Sequence, residues 1–375
     1  MKKLKVALVI PTHFDIHSSL NNLLKVYRYL IKNKNVEVTI FTDKKNKVNY
    51  KDFKVQQINS IDYKNIIEKF LFVLGIPRFY YTDLIEKLKG YDIIETSNPE
   101  FYMFAYQSYK AAKKYNSKLI YRTSQTVEGF YLFRLTKYIT IPIVKKAYNY
   151  AKCLLFTNPK AVQRCMELGL VKKNSKNIVV TGHSTDMATF RPMNLKKNKD
   201  KKILLSVGGL YKIKGHHLII RALKKVIEKG YNAELWIVGG GYYKNHLISL
   251  AKELYISSKV KFLGKKGHKE LAKIYNMSDV FVLANYQEIT PAVNEAMACG
   301  KPVVAMECGG YDFVIPNENY GIISKRFNTK DMADKIITLI KNKDLAKKIA
   351  NKGRQHIIKN FGIKNVAEKI YKCFT

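Results

Sequence analysis

Apolar residues recur along this chain in two alternating rhythms. Short runs rich in Val, Ile, Leu and Phe are separated by longer stretches in which apolar residues return every three or four positions. The first rhythm predicts buried strands and the second amphipathic helices, so their alternation predicts an α/β fold with parallel sheets. In the first half, Lys5–Ile10, Val36–Phe41, Ile93–Glu95, Lys118–Tyr121 and Cys153–Phe156 read as strands. Between the first two, Leu20, Leu23, Leu24, Tyr27 and Ile31 share one face of a helix, with Ser18 or Ser19 as its N-cap.

The pattern breaks at Phe190–Lys202, a polar and charged stretch that follows Pro192 and reads as a linker. A second set of strands then begins, at Ile203–Val207, Glu234–Val238, Val260–Phe262, Val280–Leu283 and Pro302–Ala305. Each half thus opens with a strand-loop-helix unit. Two Rossmann-like domains facing across a cleft, residues 1–195 and 196–359, are the simplest architecture. A closing helix at about 360–375, with Val366, Ile370 and Phe374 on one side, is expected to pack back on the N-terminal domain.

Composition narrows this picture. With 375 residues, 47% of them hydrophobic, the chain is long and apolar enough for two cores, which excludes a disordered protein. Its net charge of +38 favours an anionic partner, or else reflects lysines covering solvated helix faces. The lysines are spread along the chain and no nucleic-acid motif accompanies them, which argues against nucleic acid as the partner. Five scattered cysteines without a C-x-x-C pair predict reduced thiols and no zinc. The apolar run Val6–Ile10 is too short for a signal-peptide core and stops at Pro11, and no run approaches a membrane span. A cytoplasmic protein is the expectation.

Two segments carry the chemistry. In LANYQEITPAVNEAMACGKPVV a strand ends near Leu283 and a helix starts with Thr290 as N-cap and Pro291 as first residue, stopping at Gly300. The free N–H groups at such a tip make a site for an anion, and Glu295, a little over one turn inside, is placed to accept from a ribose diol. In SVGGLYKIKG, Gly208 and Gly209 follow a strand directly, where missing side chains admit a phosphate, and Lys214 offers a cation for a diphosphate.

Together with VKFLGKKGHKELAKIYNMSDVFVL between them, these segments resemble the retaining glycosyltransferases of family four, the glycosyl transferases group 1. The resemblance covers Ile203 to Pro316 almost throughout, with weaker echoes in NIVVTGHSTDMATFRP and in the closing FGIKNVAEKIYKCF. It implies the GT-B architecture, a nucleotide-diphosphate sugar as co-substrate, no cofactor and metal-independent retaining chemistry. It further implies that Glu295 binds ribose, that Lys214 contacts the donor diphosphate, that Ile289, Thr290 and Pro291 meet sugar and phosphate, and that Lys265 and Lys266 lie near the base. Two positions depart from the pattern. The family's arginine after the first glycine is Gly209 here, and the first glutamate of its pair is Gln287, followed by Glu288. Either Gln287 contacts the sugar hydroxyls or the loop shifts so that Glu288 serves.

The N-terminal half says less. His13, His17, Ser18 and Ser19 stand where the family has a glycine-rich loop, and either meet the acceptor or diphosphate, or belong to a capped helix with surface histidines. Where the family often places a histidine near the reaction centre, this chain has Thr123, Ser124 and Gln125. His183 faces the cleft or sits satisfied in its loop, and Asp186 is read as structural. Residues 61–81 combine an apolar face with Lys64, Lys69 and Arg78, and read either as a contact with an anionic membrane and a lipid-linked acceptor or as an ordinary core helix. Competing readings are a sugar-nucleotide epimerase, a basic nucleic-acid binder and a catalytically weakened GT-B protein.

Overall fold

The structure is a computed structural model of the chain and describes residues 3–10, 18–44, 50, 52–62, 79–97, 103–123, 137–172, 174–196, 200–287 and 290–375. It forms two compact units, one of Met1–Gly182 with Ile363–Thr375 and one of His183–Gly362.

Strands of the first unit are β1 Leu4–Val9, β2 Val36–Asp43, β3 Lys54–Ile58, β4 Ser60–Asp62, β5 Phe79–Tyr81, β6 Ile93–Ser97, β7 Lys118–Thr123, β8 Cys153–Phe156 and β9 Ile178–Val180. Seven of them make one parallel sheet in the order β3-β2-β1-β6-β7-β8-β9, and β4 pairs antiparallel with β5. Both faces of the sheet are covered, so its strands are apolar on both sides. Val6 and Leu8 of β1 share a core with Leu24, Tyr27 and Leu30 of helix α1, Ser18–Asn33. Ala7 and Val9 face the opposite core, with Ala111 and Ala112 of α2, Met103–Tyr115, and Tyr148 of α3, Lys137–Tyr150.

The closing helix, Ile363–Phe374, packs on α1. Its Ile370 and Phe374 are fully buried, which stabilises the unit by about 1.5–3 kcal/mol each. Lys34 pairs with Glu368 at 2.9 Å, and Lys118 Nζ donates to the Phe374 carbonyl at 2.8 Å. Cys153 and Cys373 are joined by a disulfide, with Cα atoms 5.7 Å apart. This corrects the expectation of five reduced thiols. The pair meets only because the last helix returns to the first unit, and residue spacing does not reveal such a return. Cys165, Cys299 and Cys308 are buried thiols outside this disulfide. Beneath α1, Arg122 donates to Glu95 Oε1 from Nε at 3.1 Å and Nη2 at 2.8 Å, and the Tyr27 hydroxyl donates to Oε2.

The second unit holds β10 Lys202–Val207, β11 Ala233–Val238, β12 Val260–Gly264, β13 Val280–Leu283, β14 Val303–Met306 and β15 Ile322–Ser324, in the order β12-β11-β10-β13-β14-β15. All pairings are parallel, so every carboxyl end lies on one edge and the order reverses between β10 and β13. Helices α4 His216–Glu228, α5 Lys244–Glu253, α6 His268–Met277, α7 Pro291–Ala298, α8 Thr329–Lys341 and α9 Lys343–Phe361 cover its two faces. The boundary at Gly182 lies ahead of the expected linker. Phe190 is fully buried against Tyr275, and the Thr185 N–H donates to Phe361 O at 2.8 Å, so residues from His183 onward already belong to this second unit.

Candidate active site

The carboxyl edge of the second sheet is built from interlocked glycine turns. Gly208 donates its N–H to Val238 O at 3.0 Å, Leu210 to Gly240 O at 3.0 Å, and Gly239 to Gly264 O at 2.9 Å. A Cβ on Gly239 would lie 1.8 Å from Gly208 O, and one on Gly241 would lie 2.4 Å from Leu210 O. Only glycine fits there. Gly239–Gly241 had no role in the sequence reading, although three glycines in a row directly after a strand are the signal. Next to Gly208, the ring of His216 is nearly fully buried, with Nδ1 3.1 Å from Ser206 Oγ. Burial pushes the His216 pKa down to about 4, which keeps the ring neutral near pH 7.

Lys214 ends a short 3-10 turn, Lys212–Lys214, and is partly buried. Gly215 then takes φ +68°, and a Cβ on it would meet Ala284 O at 2.0 Å. The loop after β13 therefore lies against this turn, and the Tyr286 N–H donates to Ile213 O at 2.9 Å. Gln287 accepts at its carbonyl from the Gly309 N–H at 2.8 Å. Beyond it, Thr290 is the N-cap of α7 and Pro291 its first residue, as the sequence predicts. Among the described residues the Thr290 side chain makes no capping bond, and its buried hydroxyl oxygen has no hydrogen-bond partner. Gly300 at φ +68° follows the helix end.

Glu295 is buried in α7 with 2% of its surface exposed. Tyr275 of α6 donates its hydroxyl to Glu295 Oε2 at 3.0 Å and to Ala292 O at 3.1 Å. Burial, and then the Glu295 charge, raise the Tyr275 pKa well above its usual value, so the phenol stays a donor. Its part was not visible in sequence, because the partners are twenty positions apart on different helices.

Residues 189–356 match the family described as glycosyl transferases group 1. The resemblance found in the sequence holds over that stretch. A 183-residue alignment with spore coat protein SA of Bacillus subtilis is 32% identical and covers 46% of this chain and 48% of the relative. The chain spans about half the length of the curated relatives it matches first. A longer alignment, 26% identical over 300 residues, covers 75% of this chain and 76% of the N,N'-diacetylbacillosaminyl-diphospho-undecaprenol alpha-1,3-N-acetylgalactosaminyltransferase of Campylobacter jejuni. The fold is similar to that of Anabaena HepE in complex with UDP, with a TM-score of 0.78, 15% identity, and coverage of 98% of this chain and 99% of that one. The α/β GT-B fold class expected from the sequence is thereby shown.

The group 1 stretch holds the expected donor-site residues that the structure describes. Gly208, Gly209, Lys214, Gln287, Thr290, Pro291 and Glu295 all lie on or beside the turns and helix tip at the carboxyl edge. Lys265 follows β12, its stem 3.2 Å from where a Gly240 Cβ would stand, while Lys266 is paired with Glu270 at 2.5 Å. At Gly209 a Cβ would come within 2.6 Å of Cε2 of Tyr211, whose ring folds back over the backbone. His183 accepts from Asn294 Nδ2 at its carbonyl, 3.0 Å away. Asp186 accepts from the Ala188 N–H and the Thr189 hydroxyl, which supports its structural reading.

Glu288 and Ile289 lie outside the described residues, as do His13, His17, Ser124, Gln125 and residues 63–78. Ser18 and Ser19 open α1. Among the described residues, no group of three His, Cys, Asp or Glu could hold a metal ion, and no helix is long and apolar enough to cross a membrane.

Proposed function

We propose that this chain is a glycosyltransferase that moves a sugar from a nucleotide-diphosphate sugar to an acceptor hydroxyl, retaining the anomeric configuration without a metal ion. The observation that carries the reading is the bond from the Tyr286 N–H to Ile213 O, which sets the Lys214 turn beside the loop feeding the tip of α7. A diphosphate there meets an ammonium, bare glycine backbone and a helix end of partial positive charge. The buried Thr290 hydroxyl, without a partner among the described residues, supports a polar ligand at that tip. Glu295, oriented by Tyr275, binds the ribose. Gln287 or Glu288 holds the sugar with Ile289 and Pro291, and Lys265 borders the base.

In the reaction the bond between the anomeric carbon and the diphosphate oxygen breaks, and the oxygen keeps the electron pair. The acceptor oxygen bonds to the same face of that carbon, and its proton passes to the departing diphosphate. Lys214 and the helix tip stabilise the charge that develops, so the protein contributes position and electrostatics. The acceptor is a glycan, a lipid-linked sugar or a small polar molecule. The name of the Campylobacter relative supports the lipid-linked option. The +38 charge supports work at an anionic cytoplasmic membrane face.

A thermal-shift screen over UDP-, GDP- and ADP-sugars tests the reading. A ligand at a hundred times its dissociation constant stabilises by about 2.7 kcal/mol. No shift with any donor, together with no donor hydrolysis, would reject it. A second reading, a nucleotide-sugar binder of weakened activity, is favoured by the Tyr211 ring over Gly209, where the resemblance expects an arginine. Donor binding without hydrolysis or transfer would select it.

A further inference from the structure

The carboxyl edge of the second sheet carries a continuous line of aromatic rings that runs past the donor turn, where the Tyr211 ring lies over Gly209. Tyr211, after β10, lies 5.4 Å from Tyr242, after β11, centroid to centroid. Tyr242 meets Tyr243 at 6.4 Å, and Tyr243 meets His217 at 5.9 Å. His217 then meets Tyr286, after β13, at 5.9 Å, and Tyr286 meets Phe327, after β15, at 4.8 Å. The line therefore follows the strand ends from β11 to β15 and passes the turn that carries Lys214.

Its outer rings face solvent. Tyr242 is 78% exposed, Phe327 49% and Tyr211 42%. Phe327 is held outward by a left-handed backbone, φ +55°, which a bulky side chain rarely adopts. Cations border the line. Arg326 stacks on Phe327 at 5.0 Å and donates to Tyr286 O, and Lys212 adjoins Tyr211. Among the described residues neither Lys212 nor Arg326 forms an ion pair with an acidic side chain. The pKa of His217 is pushed below its usual value by burial first, and then by the charges of His246, Arg221 and Lys212, a sign of positive potential along the line.

We propose that this line is a docking surface for an acidic glycan chain. Exposed rings take the apolar faces of pyranoses, and Lys212 and Arg326, which pair with no acidic side chain among the described residues, take their carboxylates. The inference rests on the glycosyl-transfer reading, which favours a glycan over the single-stranded nucleic acid that rings and cations also suit.

The test uses the full chain, with polygalacturonate as the acidic probe, dextran as the neutral one and poly(U) as the nucleic-acid one, at fixed salt. Polygalacturonate is expected to bind at least tenfold more tightly than dextran or poly(U). The double variant Tyr242→Ala, Phe327→Ala should lose at least tenfold of that affinity, while Tyr242→Phe retains it and the thermal shift with nucleotide sugar is unchanged in all three proteins. Equal binding of polygalacturonate and dextran, tighter binding of poly(U), or an unaffected double variant would each overturn the proposal. Failure of the nucleotide sugar to shift the unsubstituted protein would instead count against glycosyl transfer itself.

Discussion

Gly215→Ala and Gly230→Ala together measure how tightly the Lys214 turn is seated. Both glycines are left-handed, at φ +68° and +84°, so both substitutions incur the left-handed strain, about 1–2 kcal/mol. A narrower unfolded ensemble offsets about 0.4–1 kcal/mol of it in each case. At Gly230 a Cβ meets nothing within 4 Å, so the cost ends near 1 kcal/mol. At Gly215 the Cβ would lie 2.0 Å from Ala284 O, a backbone atom at the end of β13 that cannot turn aside as a side chain does. Relieving that contact adds about 1–3 kcal/mol, a total near 3 kcal/mol. For a unit of this size the midpoint should fall by about 6–12 °C in Gly215→Ala and about 2–4 °C in Gly230→Ala. The relief also separates Lys214 from the loop before α7, so the donor-induced thermal shift should shrink in Gly215→Ala alone. Scanning calorimetry with and without donor reads both effects. Equal midpoints for the two variants would refute the close seating, and an undiminished donor shift in Gly215→Ala would detach it from donor binding.

Lys214→Ala should slow transfer by roughly ten- to a hundredfold, since a charge-assisted contact contributes about 1.5–3 kcal/mol; kcat/KM near that of the unsubstituted protein would remove the assignment. Glu95→Ala leaves the Arg122 guanidinium, its side chain 16% exposed, without its buried carboxylate and should cost about 3 kcal/mol, read as a lower urea midpoint. His216 has a folded pKa of about 4, below the unfolded value of 6.5, so its neutral form favours the fold above pH 6.5. As pH falls from about 6.5 to about 4, unfolding gains up to about 3 kcal/mol from proton uptake there. His216→Gln should flatten that part of the stability profile, and an unchanged acid limb would contradict the burial.

The ten strands read from the sequence all appear in the two parallel sheets, each within a few residues of its expected bounds. They were legible because strands buried on both faces are apolar runs bounded by polar loops, a local property. The tip of α7 was legible for a similar reason, since Thr290, Pro291 and Gly300 are punctuation that acts within a few residues. What escaped depends on distant partners. Tyr275 gains meaning only when α6 lies beside α7, and Gly239 only when the turn after β11 closes on Gly208. The unit boundary lies ahead of the expected linker because Phe190 sits in a polar stretch, yet its ring is buried with Tyr275. The Cys153–Cys373 bond joins residues 220 positions apart.

That the first unit draws its last helix from Ile363–Thr375 has a consequence during synthesis. When Gly182 leaves the ribosome, the sheet of this unit is complete, but the apolar groove over Tyr27 and Leu30 still lacks Ile370 and Phe374. Translation of the whole second unit intervenes, roughly ten to forty seconds at about 5–20 residues per second. Throughout that interval the nascent polypeptide displays a sticky furrow, which makes it a client for holding chaperones and leaves it vulnerable to any stop codon that removes only the tail.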